Sequence, residues 1–299
     1  MNENIIQASA IGIIGGTGLY GLPGFDNARW IKVESSFGIP SDDLLIGEFA
    51  QQRLVFLPRH GRGHRIPPSE INYRANIDAM KRAGVNRIMS FSAVGSLKKN
   101  LQPGTFVLVD QYIDRTYRRQ QSFFGTGFVA HVSMADPVCN TMANTLARAG
   151  TEQGLSMVNG GNYVVMEGPQ FSSRAESELH RSWGADLIGM TNMPEAKLAR
   201  EAEICYSTVA MVTDYDCWHD EHEAVSTASV LDVLRQNTNQ ARSLVTAAIP
   251  MISKLASPCE SGCHRALEHA IATAPEHRDP DMVKRLSAIA GRVSGNAGW

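Results

Sequence analysis

The chain has 299 residues, 43% of them hydrophobic and 19% charged, a balance that excludes a disordered polypeptide and supports a sizeable core. Its 28 basic and 30 acidic residues leave a formal charge of -2, so neither a nucleic-acid partner nor a basic membrane-surface role is expected. Met1-Asn2-Glu3-Asn4 lacks a positively charged leader and no apolar run reaches the roughly 20 residues of a bilayer span, which makes the cytosol the expected compartment. Five cysteines, Cys139, Cys205, Cys217, Cys259 and Cys263, cannot all pair, so a disulfide framework is not the basis of the fold.

Short apolar runs alternate with helical patterns, the mark of an α/β chain, and the alternation inclines toward a parallel sheet covered on both faces. The first strand is predicted over 11–14. It runs into Gly16-Thr17-Gly18-Leu19-Tyr20-Gly21, formally the G-x-G-x-x-G dinucleotide fingerprint. That fingerprint needs a helix opening at its last glycine, whereas Gly21-Leu22-Pro23-Gly24 keeps breaking the chain. Two readings survive, an anion-binding loop with Thr17 as its hydroxyl and a merely tight turn.

A strand at 53–57 ends in Arg59-His60-Gly61-Arg62-Gly63-His64-Arg65. Such a run is either a solvated basic loop or a phosphate grip, since the guanidinium fork can give an oxyanion two parallel hydrogen bonds. Tyr73, Ile77 and Met80 at helical spacing before Gly84 predict an amphipathic helix over 72–83. The strand at 87–92 leads to Ser92-Ala93-Val94-Gly95-Ser96, a small-residue turn offering hydroxyls and free amides. Further elements are predicted as a strand at 105–109, a helix at 137–153 and a strand at 163–166. Phe171, on the loop into a helix at 172–183 capped by Ser172 or Ser173, is either a core plug or a shelf for a base. Thr191 ends the strand at 186–190, just before a helix at 194–203 whose Pro194 suits its first turn. If the sheet places them on one edge, four strand ends with anion chemistry converge.

The strand at 204–212 delivers Asp214 and Asp216 at the same-face spacing of extended chain. A carboxyl pair there can serve a heterocycle, with one member kept protonated by burial and its neighbour; a metal site or a solvated turn are the alternatives. No further ligand stands at a metal-binding spacing, and His219-Asp220-Glu221-His222 matches no zinc motif and reads as a polar loop. A helix at 227–255 closes a single domain over 1–255. Residues 256–299 read as a linker and a helical appendage, with helices at 264–274 and 281–293. Cys259 and Cys263, with three residues between them, fit neither haem attachment nor a four-ligand zinc site; they read as linker cysteines or a redox pair.

Taken in order, Gly12-Ile13-Ile14-Gly15-Gly16-Thr17-Gly18, Arg59-His60-Gly61-Arg62, Gly168-Pro169-Gln170-Phe171-Ser172-Ser173-Arg174-Ala175-Glu176-Ser177, Met190-Thr191 and Thr213-Asp214-Tyr215-Asp216-Cys217-Trp218 resemble the methylthioadenosine-cleaving branch of the trimeric purine nucleoside phosphorylase family. The resemblance spans about Ile11 to Pro250. It implies a single-domain phosphorylase/hydrolase-like α/β fold with a mixed central sheet flanked by helices, in place of a parallel one. It also implies a phosphate site of Thr17, Arg59, His60, Ser92, the backbone of Ala93 and Thr191, with Met190 under the ribose and Phe171 beside the base. Asp214 and Asp216 would face the purine N7 and 6-amino group, Asp214 as the catalytic acid. His131 would reach the ligand of an adjacent subunit in a homotrimer or dimer of trimers, and the tail past Leu255 is a candidate wall of the 5′ pocket.

The implied reaction is phosphorolysis of S-methyl-5′-thioadenosine to adenine and S-methyl-5-thioribose 1-phosphate, with phosphate as co-substrate and no metal or organic cofactor. Alternatives are a 6-oxopurine or methylthioinosine phosphorylase, a nucleosidase that uses water, and a non-catalytic nucleotide-binding module.

Overall fold

The computed structural model describes residues 9–219 and 227–294; the polar run at 220–222 lies outside them. In chain order the elements are β1 (Ala10–Gly15), β2 (Asp26–Ile31), β3 (Leu44–Phe49), β4 (Gln52–Pro58), α1 (Tyr73–Arg82), β5 (Val85–Ser96), β6 (Phe106–Val109) and β7 (Gln111–Arg115). There follow α2 (Asn140–Glu152), β8 (Met157–Asn159), β9 (Asn162–Met166), α3 (Arg174–Ser182), β10 (Leu187–Gly189), α4 (Glu195–Glu201), β11 (Cys205–Asp214), α5 (Thr227–Ile252), α6 (Pro280–Arg285) and α7 (Ser287–Ser294).

All eleven strands join one sheet in the order β2-β3-β4-β1-β5-β10-β9-β7, with a branch in which β11 pairs with β5 and β6, and β6 with β8. It is mixed: β1 runs parallel to β4 and β5, and β11 parallel to β5, while β10 meets β5 and β6 meets β11 antiparallel. The mixed sheet implied by the resemblance is therefore present, and the parallel sheet suggested by the alternation is not.

Strict alternation splits the core into two layers. In β4, Val55 and Leu57 face one side with Ile77 and Met80 of α1, Leu198 of α4 and Ile289 of α7. Leu54 and Phe56 face the other, with Met142 and Leu146 of α2 and Leu244, Val245 and Ile249 of α5. Residues 256–294 do not stand apart as an appendage, because Leu267, Ala270, Leu286 and Ala290 belong to the first layer. The helix predicted over 264–274 is also replaced. A single 3-10 turn at Cys263–Arg265 is followed by a bridge between Ala130 and Ile271.

Four strands escaped sequence reading for physical reasons. β2 is polar and largely exposed, β8 has three residues, and β7 is half-buried. The β3–β4 hairpin turns at Ala50 and Gln51, both with positive φ (49° and 63°), without the Asn or Gly that would have signalled such a turn.

β5 decides where a ligand can sit. β1 pairs with it up to Ser90, and β10 joins the same stretch of chain only at Gly95 and Ser96. Between them, Phe91–Val94 keep β11 as partner but, among the described residues, have no strand on the other edge, and a cavity opens there at the carboxyl ends of β1, β4, β5 and β11.

Candidate active site

The cavity, about 260 Å³, is lined by Gly16, Arg59, His60, His64, Pro68, Phe91–Gly95, Met166, Phe171, Ile188–Thr191, Met211, Thr213, Asp214 and Asp216, at the low end for small-ligand clefts. Of the residues expected from sequence, it gathers Arg59, His60, Ser92, Ala93, Phe171, Met190, Thr191, Asp214 and Asp216. Thr17 follows Gly16 at its edge, in a 3-10 turn rather than the helix of a dinucleotide fingerprint; its side chain lies outside the described residues. His131 is exposed and does not line the cavity. Among the described residues nothing beyond Asp216 does so either, so the tail after Leu255 supplies no wall within its own chain.

One end of the cavity collects hydroxyls, a guanidinium and an imidazole. Ser92 Oγ lies 2.9 Å from Thr191 Oγ1, and both side chains are buried. Arg59 is held differently from expectation. At 2% exposure its fork points back into the core, where Nε donates to Glu195 Oε2 at 2.7 Å and Nη2 to Glu195 Oε1 at 3.0 Å and to Ser90 Oγ at 2.6 Å. Nη1 donates to Phe91 O at 2.9 Å, so four of the five guanidinium N–H groups are spent and the bidentate grip on an oxyanion is unavailable to it. Burial opposes the charge on Arg59, but the Glu195 carboxylate's attraction and hydrogen bonds hold the guanidinium well above its ordinary pKa. Arg59 thus presents a fixed positive charge and one free N–H.

Glu195, 1% exposed, also accepts from Ser90 Oγ at 2.6 Å and Tyr206 Oη at 2.8 Å. Burial would raise its pKa, yet Arg59 and these donors hold it down.

His60 stacks on His64 with ring centroids 4.2 Å apart, and its Nδ1 lies 2.9 Å from the Ile66 carbonyl. A carbonyl only accepts, so Nδ1 carries the hydrogen and Nε2 is bare in the neutral ring. Burial first, and the Arg59 charge next, push the His60 pKa down to about 4, so the ring is neutral at pH 7.

The other end holds the carboxyl pair. Asp214 ends β11 across a register shift, opposite Gly95, and Asp216 follows with φ of 52°. The two are therefore brought together by a turn, correcting the extended same-face arrangement expected from their spacing. Asp216 N–H donates to Asp214 Oδ1 at 2.8 Å, and Thr213 Oγ1 lies 2.7 Å from Asp214 Oδ2. Burial raises both carboxyl pKa values, and the Asp216 charge adds to the rise at Asp214. Asp216 Oδ2 is buried without a hydrogen-bond partner, an acceptor held for something that enters the cavity. A residue with a Cβ at Gly95 would stand 2.9 Å from Asp214 Oδ1, and only the absence of that carbon lets the carboxyl pack against β5.

Phe171, 47% exposed, is a shelf on the cavity and not a core plug. It precedes Ser173, which caps α3 in a reciprocal box with Glu176. Met190 also lines the cavity, packed against Gly168, whose φ of 72° and bare Cα admit the Met190 sulfur.

Sequence reading missed the groups that set this geometry. Arg119, buried, donates to Glu167 Oε1 at 3.0 Å, to Met190 O at 2.7 Å and to Met193 O at 2.6 Å, which fixes the Met190-Thr191 bend. Asn192 Nδ2 donates to Tyr206 Oη at 2.7 Å and Thr208 Oγ1 at 3.0 Å. Glu195 was visible only as a first-turn helix residue, and nothing local in the sequence links it to Arg59, 136 positions away. Pro194 stands one place earlier than expected, at the cap of α4.

A cleft with an anion end and a buried carboxyl end, at the edge of a mixed α/β sheet, defines a protein that brings an anion to a heterocyclic compound. The chain belongs to the phosphorylase superfamily, whose model matches residues 10–250. Its relatives include the S-methyl-5'-thioadenosine phosphorylases of Rhodospirillum rubrum, 55% identical over 95% of this chain and 97% of the relative, and of Bradyrhizobium diazoefficiens, 54% identical over 95% and 98%. Among solved structures, a methylthioadenosine phosphorylase from an antarctic soil metagenomic library superposes with a TM-score of 0.89, at 47% identity over 95% of this chain and 99% of that one. The methylthioadenosine phosphorylase of Schistosoma mansoni in complex with adenine reaches 0.81, at 36% identity over 87% and 97%.

Proposed function

We propose that this protein cleaves S-methyl-5'-thioadenosine with inorganic phosphate, releasing adenine and S-methyl-5-thioribose 1-phosphate. The observation that carries the proposal is the pairing, in one cleft, of a cationic and hydroxyl end with a buried carboxyl end whose pKa values are raised. Relatives of that printed activity, matched along nearly the full chain, support the choice of substrate.

Phosphate sits among Thr17, His60, Ser92, the Ala93 amide and Thr191, with Arg59 supplying its charge and one N–H. The bare Nε2 of His60 accepts the P–OH of hydrogenphosphate. A phosphate oxygen attacks C1′ while the C1′–N9 bond breaks and its electron pair passes to the purine. The dianion beside the oxocarbenium-like centre stabilises the transition state. Asp214, whose hold on a proton is strengthened by burial and then by the Asp216 charge, gives that proton to N7 and makes adenine the leaving group. Asp216 accepts from the 6-amino group, Phe171 lies against the base and Met190 under the ribose.

His131 enters the site of a neighbouring subunit in a homotrimer or dimer of trimers, in the cytoplasm, and the reaction needs no organic cofactor. No described helix is long and apolar enough to cross a membrane. Water as nucleophile would give no use to the hydroxyl pair of Ser92 and Thr191, and a mere binding module has no need of a protonated acid at the base.

The test is release of free base from S-methyl-5'-thioadenosine, adenosine, methylthioinosine and inosine, each with and without phosphate. Phosphate-dependent adenine release, fastest from the methylthio substrate, is expected. Release without phosphate would make the protein a nucleosidase, and a preference for the 6-oxo substrates would reverse the roles given to Asp214 and Asp216.

A further inference from the structure

The cysteines read from sequence as linker residues without further ligands are not alone. Cys139 caps α2, Cys205 opens β11, and Cys259 and Cys263 lie on the turns after α5. Their four Sγ atoms all fall within 4.8 Å of one another, and the Cys139 and Cys259 sulfurs are 3.5 Å apart. Cys139, Cys205 and Cys263 are buried and Cys259 half-buried. We propose that these four thiols form a tetrathiolate site for one Zn²⁺ ion.

Four thiolates at about 2.3 Å from a tetrahedral zinc stand about 3.8 Å from each other, so the cluster already has the size that a single ion imposes. An iron–sulfur cluster sets an inorganic core between its thiolates and needs them further apart. A disulfide, for its part, unites two sulfurs and gives no reason for all four to converge.

The surroundings are those of an anionic centre and not of two covalent bridges. Arg200 Nη1 lies 3.8 Å from Cys263 Sγ. Cys139 stands at the amino end of α2, a helix of 13 residues whose orphan N–H groups favour negative charge. Four thiolates buried together need a cation to offset their desolvation and mutual repulsion, and a divalent ion supplies it.

The ion would join three distant stretches of chain. Ser261, between the last two ligands, accepts from the Thr141 N–H at 3.2 Å and pairs with the Thr141 hydroxyl at 2.8 Å. Downstream, Ala270 O accepts from His131 N–H at 2.8 Å. The site therefore anchors the tail that holds the His131 segment, and its role is structural, at a distance from the cleft.

The experiment is metal analysis of the full-length protein, produced with Zn²⁺ in the medium and purified under reductant without chelator, followed by thiol counting. One zinc per chain is expected, with four thiols protected from a thiol reagent until a mercurial and chelator release the metal, and Cys217 as the reactive control. Exchange into Co²⁺ should give the intense visible bands of a tetrahedral thiolate complex, a readout that needs no variant. Cys259→Ser with Cys263→Ser should lose the zinc; should that variant fold poorly, the Co²⁺ spectrum of the parent decides. Absence of metal with all five thiols reactive, a disulfide among the four in peptide mapping, or iron in place of zinc would each overturn the proposal.

Discussion

Replacing Asp214 by asparagine isolates the proton from the rest of the carboxyl. The amide is the same size, its oxygen still accepts from the Asp216 N–H now at 2.8 Å from Oδ1, and its nitrogen can donate to Thr213 Oγ1, now 2.7 Å from Oδ2. The Thr213 hydroxyl then turns to Val94 O, 3.2 Å away. With both contacts conserved the fold should lose no more than about 1 kcal/mol, whereas the purine loses its proton donor. General acid help of this kind is worth roughly 10²–10⁴-fold, or about 3–5 kcal/mol of barrier. Steady-state phosphorolysis of S-methyl-5'-thioadenosine, with urea unfolding of the same preparations, separates the two effects. Asp214→Asn should lower kcat by at least about 100-fold with little change in KM or in the unfolding midpoint. A kcat within a few-fold of the parent would remove Asp214 as the acid. The parent's own kcat should fall as pH rises through the elevated Asp214 pKa, because the protonated form is the active one.

Glu195→Gln leaves the buried Arg59 charge without its counter-ion and should cost about 3–5 kcal/mol, seen as a lower unfolding midpoint and a raised KM for phosphate; an unchanged midpoint would show that Ser90 and Phe91 O suffice. Gly95→Ala places a carbon 2.9 Å from Asp214 Oδ1 and should reduce kcat while leaving the phosphate KM near its parent value; equal loss in both would point to a wider collapse of β5. The His60 pKa lies at about 4 in the fold against 6.5 in the unfolded chain. Below pH 6.5 the unfolded chain therefore binds a proton that the native ring refuses, and stability falls between pH 6.5 and 4, by about 2 kcal/mol at pH 5. Glu201, raised to about 7 by burial, acts in the opposite sense over the range from pH 7 down to its ordinary value. The comparison that counts is thus parent against His60→Gln, in which the parent should lose about 2 kcal/mol more from pH 7 to 5. Identical pH profiles would mean that His60 titrates normally.

Much of the site was legible because strand ends announce themselves. Apolar runs ending in Arg59-His60, in Ser92-Ala93, in Thr191 and in Asp214 each carry a local signal, and α/β geometry places such ends on one edge. Local chemistry also carried the helix starts: Ser173 caps α3 with Glu176 three residues on, a pattern written in the sequence itself. The direction of the Arg59 fork was not legible, since a guanidinium takes the strongest acceptor within reach and Glu195 comes from a helix 136 positions away. The bend at Asp216, with its positive φ, was hidden for a related reason: period-two spacing presumes an extended chain and cannot foresee a turn stabilised by the Asp214 carboxyl group.

Composition and periodicity by themselves determined an α/β chain, its two faces of apolar alternation and the residues that could meet an anion and a base, because these follow from rules acting over a few neighbouring positions. Tertiary structure alone decided that the sheet is mixed, that one edge of β5 is left open from Phe91 to Val94 while β11 pairs with the other, that Arg59 turns inward, and that Cys139, Cys205, Cys259 and Cys263 meet. Each of these depends on which distant segments come into contact, and such contacts are selected by the packing of the whole core.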